Sequence, residues 1–348
     1  MATMMKVTSQ DHLQIEERLA QEFAFKPAWL ELIGSLYGYD IVHLVSQPTN
    51  GQVRGYLPVA VIKTALTGKR VVGLPFTDYS PVIAADAAAT NDLVDQAIHL
   101  ARLEGARYLE LRAGPNETLA ERADLTKSDL YVRYVLPLDK DPDKLLARAR
   151  PRMRSQVRKA ERDGVSVRWG LERRDIDTFY QLHLQTRSGK HGMPAQPRRY
   201  FTGMWDDFAA SGHVRLALAE YKGRCIAAAI LLIAGGTVSS SYVATDQRYL
   251  ELNATRAAEW AAIEWACANG YTLWDFGRTA RESEGLKQYK RAWGATELDL
   301  PYFYSPDVAG LAATSETSRK YALLTACWRK LPLSVAEPLG GRLYRHLG

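Results

Sequence analysis

An α/β fold built from two similar modules is predicted by three observations. In the second half, three apolar runs joined by short Gly turns precede an Ala-rich helical run and one further strand. The first half repeats that order. At the same point in each half stand Gly105-Ala-Arg-Tyr-Leu-Glu-Leu and Gly270-Tyr-Thr-Leu-Trp-Asp-Phe, alike in their alternation of large apolar residues.

In chain order, strands are expected at Ile41–Val45, Val53–Ile62 and Arg70–Leu74, with Asn50-Gly51 as a hairpin signal between the first two. A helix follows over about Asn91–Glu104, stopped by Gly105, and Arg107–Arg112 is the next strand. In the second half, Val214, Leu216 and Leu218 alternate with Arg215 and Ala217. Lys222-Gly223 turns the chain into Cys225–Ala234, and Gly235-Gly236 turns it into Thr237–Ala244. Asn253 is placed to cap a helix over Ala254–Ala268, which Asn269-Gly270 ends, and Thr272–Phe276 is a strand closed by Gly277. The halves join near Asp139–Asp143, giving modules over residues 1–140 and 141–305 and a helical tail over 306–348.

The chain has 348 residues, 47% of them hydrophobic and 24% charged, which supports two sizeable cores. Three widely spaced cysteines fit free thiols in a reducing compartment, with Cys225 and Cys267 inside apolar runs. No metal-ligand spacing is present. Met1–Arg18 lacks the apolar core of a signal peptide, and no run has the length of a membrane span, so a cytoplasmic protein is expected.

Net charge is +6, too mild to imply nucleic acid by itself. Its distribution says more. Arg148, Arg150, Arg152, Arg154, Arg158, Lys159 and Arg162 share one stretch, opposed there by Glu161. Such a run is either a solvated helix face or a contact for a polyanion such as a tRNA backbone, a diphosphate or an anionic lipid.

The most informative segment is Trp274-Asp-Phe-Gly-Arg-Thr followed by Gly285-Leu-Lys-Gln-Tyr-Lys-Arg-Ala-Trp-Gly294. Alternation sets Asp275 on the face opposite Trp274 and Phe276, where a buried carboxylate needs a donor or water. Leu286, Tyr289 and Trp293 form an apolar stripe, and Lys290 sits where that stripe would carry an apolar residue. Lys287 and Arg291 fall on another face and are expected to be solvated. Lys290 either snorkels to water or is a fixed cation that stabilises an oxyanion during acyl transfer. Arg278, following the strand end and its Gly, has the same two readings.

These two pieces resemble the signature of the FemABX-type proteins, aminoacyl-tRNA-dependent peptidyltransferases related in fold to the GNAT acyltransferases. Supporting similarity lies at Arg154–Val165, Thr186–Pro194 and Leu74-Pro-Phe-Thr-Asp-Tyr-Ser80. The resemblance implies two tandem GNAT-like modules, each a mixed, mainly antiparallel sheet flanked by helices. It implies an amine attacking the ester of an aminoacyl-tRNA, with Lys290 stabilising charge beside the aromatic Tyr289. Asp78 matches the acid of the family's Pro-x-x-Asp-Tyr-like stretch. Its alternatives are a general base and a turn aspartate bonded to local backbone. Tyr289, Arg278, Asp275, Arg154, Arg158, Lys159 and Lys190 are the candidate substrate contacts.

The sequence also departs from the family. The lysine that family members carry shortly after an early tryptophan is missing, since Trp29 is followed by Leu-Glu-Leu-Ile. A peptidoglycan precursor is nonetheless one expected acceptor. No cofactor is expected beyond the co-substrate, either aminoacyl-tRNA or acyl-CoA. Acyl-CoA enzymes of the GNAT kind cradle pyrophosphate in a Gly-rich loop before the central helix. Here the loop reads Gln247-Arg-Tyr-Leu-Glu-Leu-Asn253, with Leu250 and Leu252 at the glycine places, which favours aminoacyl-tRNA. The rival from another class is a non-catalytic module that docks tRNA or an envelope assembly.

Two features are set aside. His183, Arg187, Lys190 and His191 form a polar cluster read as a helix end with solvated histidines, or as an anion contact through Lys190 or Arg187. The tail from Thr314 carries Arg319, Lys320, Arg329, Lys330, Arg342 and Arg345 among apolar residues. It either rests on an anionic membrane surface or packs against the second module.

Overall fold

The computed structural model describes residues 10–47, 53–307 and 325–346. The strands in chain order are β1 (Asp40–Ser46), β2 (Gly55–Thr64), β3 (Gly68–Gly73), β4 (Ile83–Ala84), β5 (Leu109–Leu111), β6 (Thr126–Ser128) and β7 (Tyr131–Pro137). They continue as β8 (Ser166–Trp169), β9 (Val214–Tyr221), β10 (Arg224–Ala234), β11 (Thr237–Thr245), β12 (Leu273–Ala280), β13 (Thr296–Asp299) and β14 (Tyr302–Ser305). The helices are α1 (Gln10–Ala20), α2 (Pro27–Tyr37), α3 (Ala87–Leu103), α4 (Glu117–Ala120), α5 (Pro142–Arg148) and α6 (Pro151–Arg162). After them come α7 (Arg173–Leu184), α8 (Arg198–Phe208), α9 (Ala254–Ala268), α10 (Glu284–Ala292) and α11 (Leu333–Tyr344). The hairpin signal Asn50-Gly51 lies outside the described residues.

The chain divides into two compact units, but not at one point. The first comprises residues 1–132 and 299–314, the second residues 133–298 and 315–347, each with residues from both ends of the sequence. In the first unit the strand order is β1-β2-β3-β5-β14-β6, with β4 on β2. In the second it is β13-β7-β12-β11-β10-β9-β8. Each unit is a three-strand meander whose third strand is followed by a helix and then a strand parallel to it, β3 with β5 and β11 with β12. The GNAT-like skeleton is therefore present twice, as expected.

The sequential boundaries at 140 and 305 differ from this division. Each sheet is completed by a strand from beyond the half that builds the rest of it. β14 enters the first sheet between β5 and β6, while β7 enters the second beside β12. The sequence reading expects no strand at either segment, and local periodicity does not say which sheet a strand joins.

Local chemistry explains the skeleton. In the first unit Asp86 accepts from the Ala89 amide at 2.8 Å and starts α3. That helix buries Leu93, Val94, Ala97, Ile98 and Ala101 against the sheet. In the second unit Gly270 adopts φ +78°, a left-handed stop that turns the chain from α9 into β12. Asn253 stands at the start of α9 as expected, but its side chain caps no helical amide and donates instead to Glu251 O at 3.1 Å.

β12 does not end at Gly277, as the sequence suggests. It passes through that residue at φ +69° and runs on to Ala280. Its ladder with β11 covers Thr237–Ser239 against Leu273–Asp275 and stops there, although both strands continue. At this point the β10–β11 register jumps between Ile230 and Leu231, leaving Ser241 as an extra residue. Such a bulge re-aims the strand and ends pairing.

The described part of the tail packs into the second unit. Ala336, Gly340 and Tyr344, at helical spacing on α11, are buried. A Cβ on Gly340 would lie 3.2 Å from the backbone of Ala195, so that residue allows the close approach. Trp328 Nε1 donates to Ser188 Oγ at 3.3 Å. No described helix is long and apolar enough to cross a membrane.

Candidate active site in the second unit

Where β11 and β12 part, three elements bring titratable side chains together. α10 contributes Tyr289 and Lys290, α9 contributes Glu259, and β11 contributes Ser240. Lys290 is buried, and its ammonium donates to the carbonyls of Gly277 at 2.8 Å and Arg278 at 3.2 Å. It also lies 5.8 Å from the ring centroid of Tyr134. Lys290 therefore does not snorkel to water. It is a cation fixed on the backbone of β12.

Tyr289 is half-buried with its hydroxyl turned inward, donating to Glu259 Oε2. Glu259 is 3% exposed, and its other oxygen lies 3.5 Å from Ser240 Oγ. Burial pushes its carboxyl up to about 7, against the opposing pull of the Tyr289 hydroxyl, the charges of Lys290 and Arg256, and Ser240. The Tyr289 hydroxyl is held well above its ordinary value by burial and by Glu259. Arg256 lies over the Tyr289 ring at 5.5 Å.

Asp275 is buried with both oxygens engaged. Oδ2 accepts from Arg133 Nε at 2.9 Å and Nη2 at 2.8 Å, and Oδ1 accepts from the Gly277 amide at 2.8 Å. It thus fixes the turn whose carbonyl holds Lys290. Lys287, expected on a solvated face, is buried instead. It donates to Arg281 O at 2.9 Å and to Glu284 Oε1 at 2.5 Å, while Leu286 is exposed. The helix turns a face with two lysines inward because polar partners await both.

The other candidates lie elsewhere. Asp78 belongs to the first unit and is exposed on a clamped loop, where its carbonyl accepts from Tyr302 Oη at 2.7 Å and Arg112 donates to Thr77 O at 2.9 Å. Arg154 is turned back onto Ala147 O at 2.6 Å and Ala149 O at 2.8 Å, closing the end of α5. Lys159 pairs with Asp163. Arg150, Arg152, Arg158 and Arg162 are exposed and make no ion pair among the described residues. Lys190 is exposed at the end of a π-helical turn, Gln185–Lys190. His183 is not solvated: it is buried, bonded to Gln196 at 2.8 Å, and pushed down to about 3 by burial. No group of three metal-ligating side chains occurs among the described residues.

Glu259 is the residue that sequence reasoning misses. The signal is present, because Ala262, Ile263 and Ala266 follow it at helical spacing and mark a packed face with one acid on it.

Residues 147–291 match the family described as Acetyltransferase (GNAT) domain. The UDP-N-acetylmuramoylpentapeptide-lysine N(6)-alanyltransferase of Weissella viridescens is 26% identical over 231 residues, covering 60% of this chain and 67% of that protein. Among solved structures, FemX superposes with a TM-score of 0.68 at 18% identity, covering 86% of this chain and 96% of that one. The C-terminal domain of a putative lysylphosphatidylglycerol synthetase from Agrobacterium fabrum gives 0.58 at 14% identity, covering 91% and 95%. At those identities the superpositions speak for the fold. The match to the GNAT acetyltransferase family lies within the second unit, and the chain is an enzyme of acyl-group transfer.

Proposed function

We propose that this enzyme moves an aminoacyl group from aminoacyl-tRNA to an amine on a peptide of a cell-envelope precursor. The observation that carries the reading is the Glu259–Tyr289–Lys290 cluster at the opening between β11 and β12, inside the segment matched by the acyltransferase family. As the amine adds to the ester carbonyl, the carbonyl oxygen gains a negative charge. A buried, pre-oriented ammonium stabilises that charge more than water does, because it is already ordered and poorly screened.

The acceptor class follows the relative, which by its name acts on a UDP-linked muropeptide lysine. The donor follows two features of this chain. The turn ahead of α9 is a 3-10 helix, Gln247–Leu252, with Leu252 buried and Arg248 tied to Asp246 at 2.6 Å. That is unlike a glycine loop open to a pyrophosphate. The exposed Arg150, Arg152, Arg158 and Arg162 suit a long phosphate backbone. Arg278 and Lys190, with exposed or half-exposed side chains, enter as contacts for substrate anions.

The test incubates purified protein with mixed charged tRNAs and, separately, a panel of acyl-CoAs, with and without UDP-linked muropeptides. Donor deacylation is followed for wild type and Lys290→Ala. Lys290-dependent consumption of an aminoacyl-tRNA is expected. Consumption of acyl-CoA alone contradicts the donor, and Lys290→Ala behaving as wild type contradicts the site.

A further inference from the structure

α11 packs on the second unit through one face and carries different chemistry on the other. Ala336, Gly340 and Tyr344 are buried against the unit. On the opposite side of the helix stand Val335, Pro338, Leu339, Arg342 and Arg345, all exposed. Val335 is 42% exposed and Leu339 38%, so neither apolar side chain is taken up by the core. Arg329 and Lys330, also exposed, continue the basic character ahead of the helix. Arg329, Lys330 and Arg342 make no ion pair among the described residues. The one acid of α11, Glu337, is half-buried beside the Tyr180 hydroxyl and Arg198.

The neighbouring surface adds like charge. Trp328 ties the tail to Ser188 in the π-helical turn, and a Cβ on Gly192 would collide with the carbonyl of Thr325. The tail is thereby held close against the turn that carries Arg187 and Lys190. His191 is pushed down by burial and by the charges of Lys190, Arg187 and Arg329, with no carboxylate among the groups that act on it. Cations gathered in this way repel one another, and a surface of opposite charge offsets that repulsion.

We propose that the outer face of α11, with Arg329 and Lys330, docks on an anionic phospholipid surface. Along the tail a basic pair, Arg329 and Lys330, is followed by the apolar Val335, Pro338 and Leu339 and then by Arg342 and Arg345. A phosphate backbone would meet the cations and leave the apolar residues in water. A bilayer takes both, with lipid phosphates on the cations and Val335 and Leu339 at the boundary of headgroups and acyl chains. The helix is already formed and packed, so docking does not carry the ordering cost of a disordered basic tail.

The test sediments the full chain with vesicles of phosphatidylcholine alone and with an equal mixture of phosphatidylglycerol and phosphatidylcholine. Wild type is expected to bind the mixed vesicles at least about tenfold more tightly, and salt should release it. Arg329→Gln with Lys330→Gln and Arg342→Gln should weaken that binding about 100-fold, at about fivefold per cation. Val335→Ala with Leu339→Ala keeps every charge and a good helix former at both places, and should weaken it about tenfold. Arg329→Lys with Arg342→Lys should bind as wild type. All these side chains are exposed, so urea unfolding should find the variants folded like wild type. Wild type that stays in the supernatant with the mixed vesicles overturns the proposal, as does binding indifferent to the three glutamines. An alanine pair that binds as wild type overturns it too, and loss of tRNA binding by the glutamine variant in a gel shift would then assign the surface to a polynucleotide.

Discussion

The two units solve the same packing problem with different residues. Gly105 and Gly270 end the two central helices in the same left-handed conformation, at φ +60° and +78°. Eleven residues before the first stands Val94, and eleven before the second stands Glu259. Val94 is fully buried among Leu93, Ala97 and Ile98, and nothing there titrates. Glu259 is as deeply buried, but α10 follows β12 and supplies Tyr289 and Lys290 as partners. Among the described residues, the helix of the first unit after β5 is the four-residue α4, which carries no counterpart. The skeleton therefore needs no acid at this place, since one copy stands without it. A buried acid costs stability, and the copy that keeps it is the copy matched by the acyltransferase family.

That contrast can be broken in several ways. The largest effect is expected from Lys290→Ala, with turnover falling about 1,000-fold and substrate affinity little changed, measured by steady-state kinetics. Leu93→Ala in the first unit supplies the opposite pattern: about 3 kcal/mol of stability lost in urea unfolding, with turnover of the folded protein unchanged. Arg133→Met joins the two effects. It leaves Asp275 buried without its guanidinium, a loss of about 3 kcal/mol, and it loosens the Gly277 turn that holds Lys290, so activity falls as well.

Glu259 also gives the second unit a pH dependence that Val94 cannot give the first. Its carboxyl is raised in the folded state from 4.5 to about 7, so the native state binds a proton that the unfolded chain has already lost. Stability is then highest below 4.5 as far as this group is concerned, and falls through the window up to about 7. The total is about 3 kcal/mol. Glu259→Val with Tyr289→Phe, which copies the solution at Val94, should flatten that portion of the unfolding free energy between pH 5 and 8 or so. The smallest effect is expected on the surface. Arg158→Ala with Arg162→Ala should reduce the salt dependence of tRNA binding by about two ion equivalents and leave stability within about 0.5 kcal/mol.

Much of the skeleton was legible because strand and helix periods are local. α9 was bounded to the residue, and β9, β10 and β11 nearly so. The exchange of β7 and β14 was not legible, because membership of a sheet depends on partners more than a hundred residues away. Lys290 could be found as a charge on an apolar stripe. The same pattern puts Lys287 on a solvated face, whereas its burial follows the carbonyl of Arg281 and the acid of Glu284. Glu259 carried the same signal as Lys290 and was masked by the small alanines around it. Asp275 was recognised as an acid in need of a donor, but its partner Arg133 lies on β7, the strand that periodicity could not assign.

The most direct test is a single-turnover measurement of acyl release from the donor that wild type consumes, with a peptide amine acceptor, for wild type, Lys290→Ala and Leu93→Ala. The expected rate is about 1,000-fold lower for Lys290→Ala and unchanged for folded Leu93→Ala. Acyl release by Lys290→Ala at the wild-type rate would contradict it, because the buried cation of the second unit would then be part of the packing and not of the chemistry.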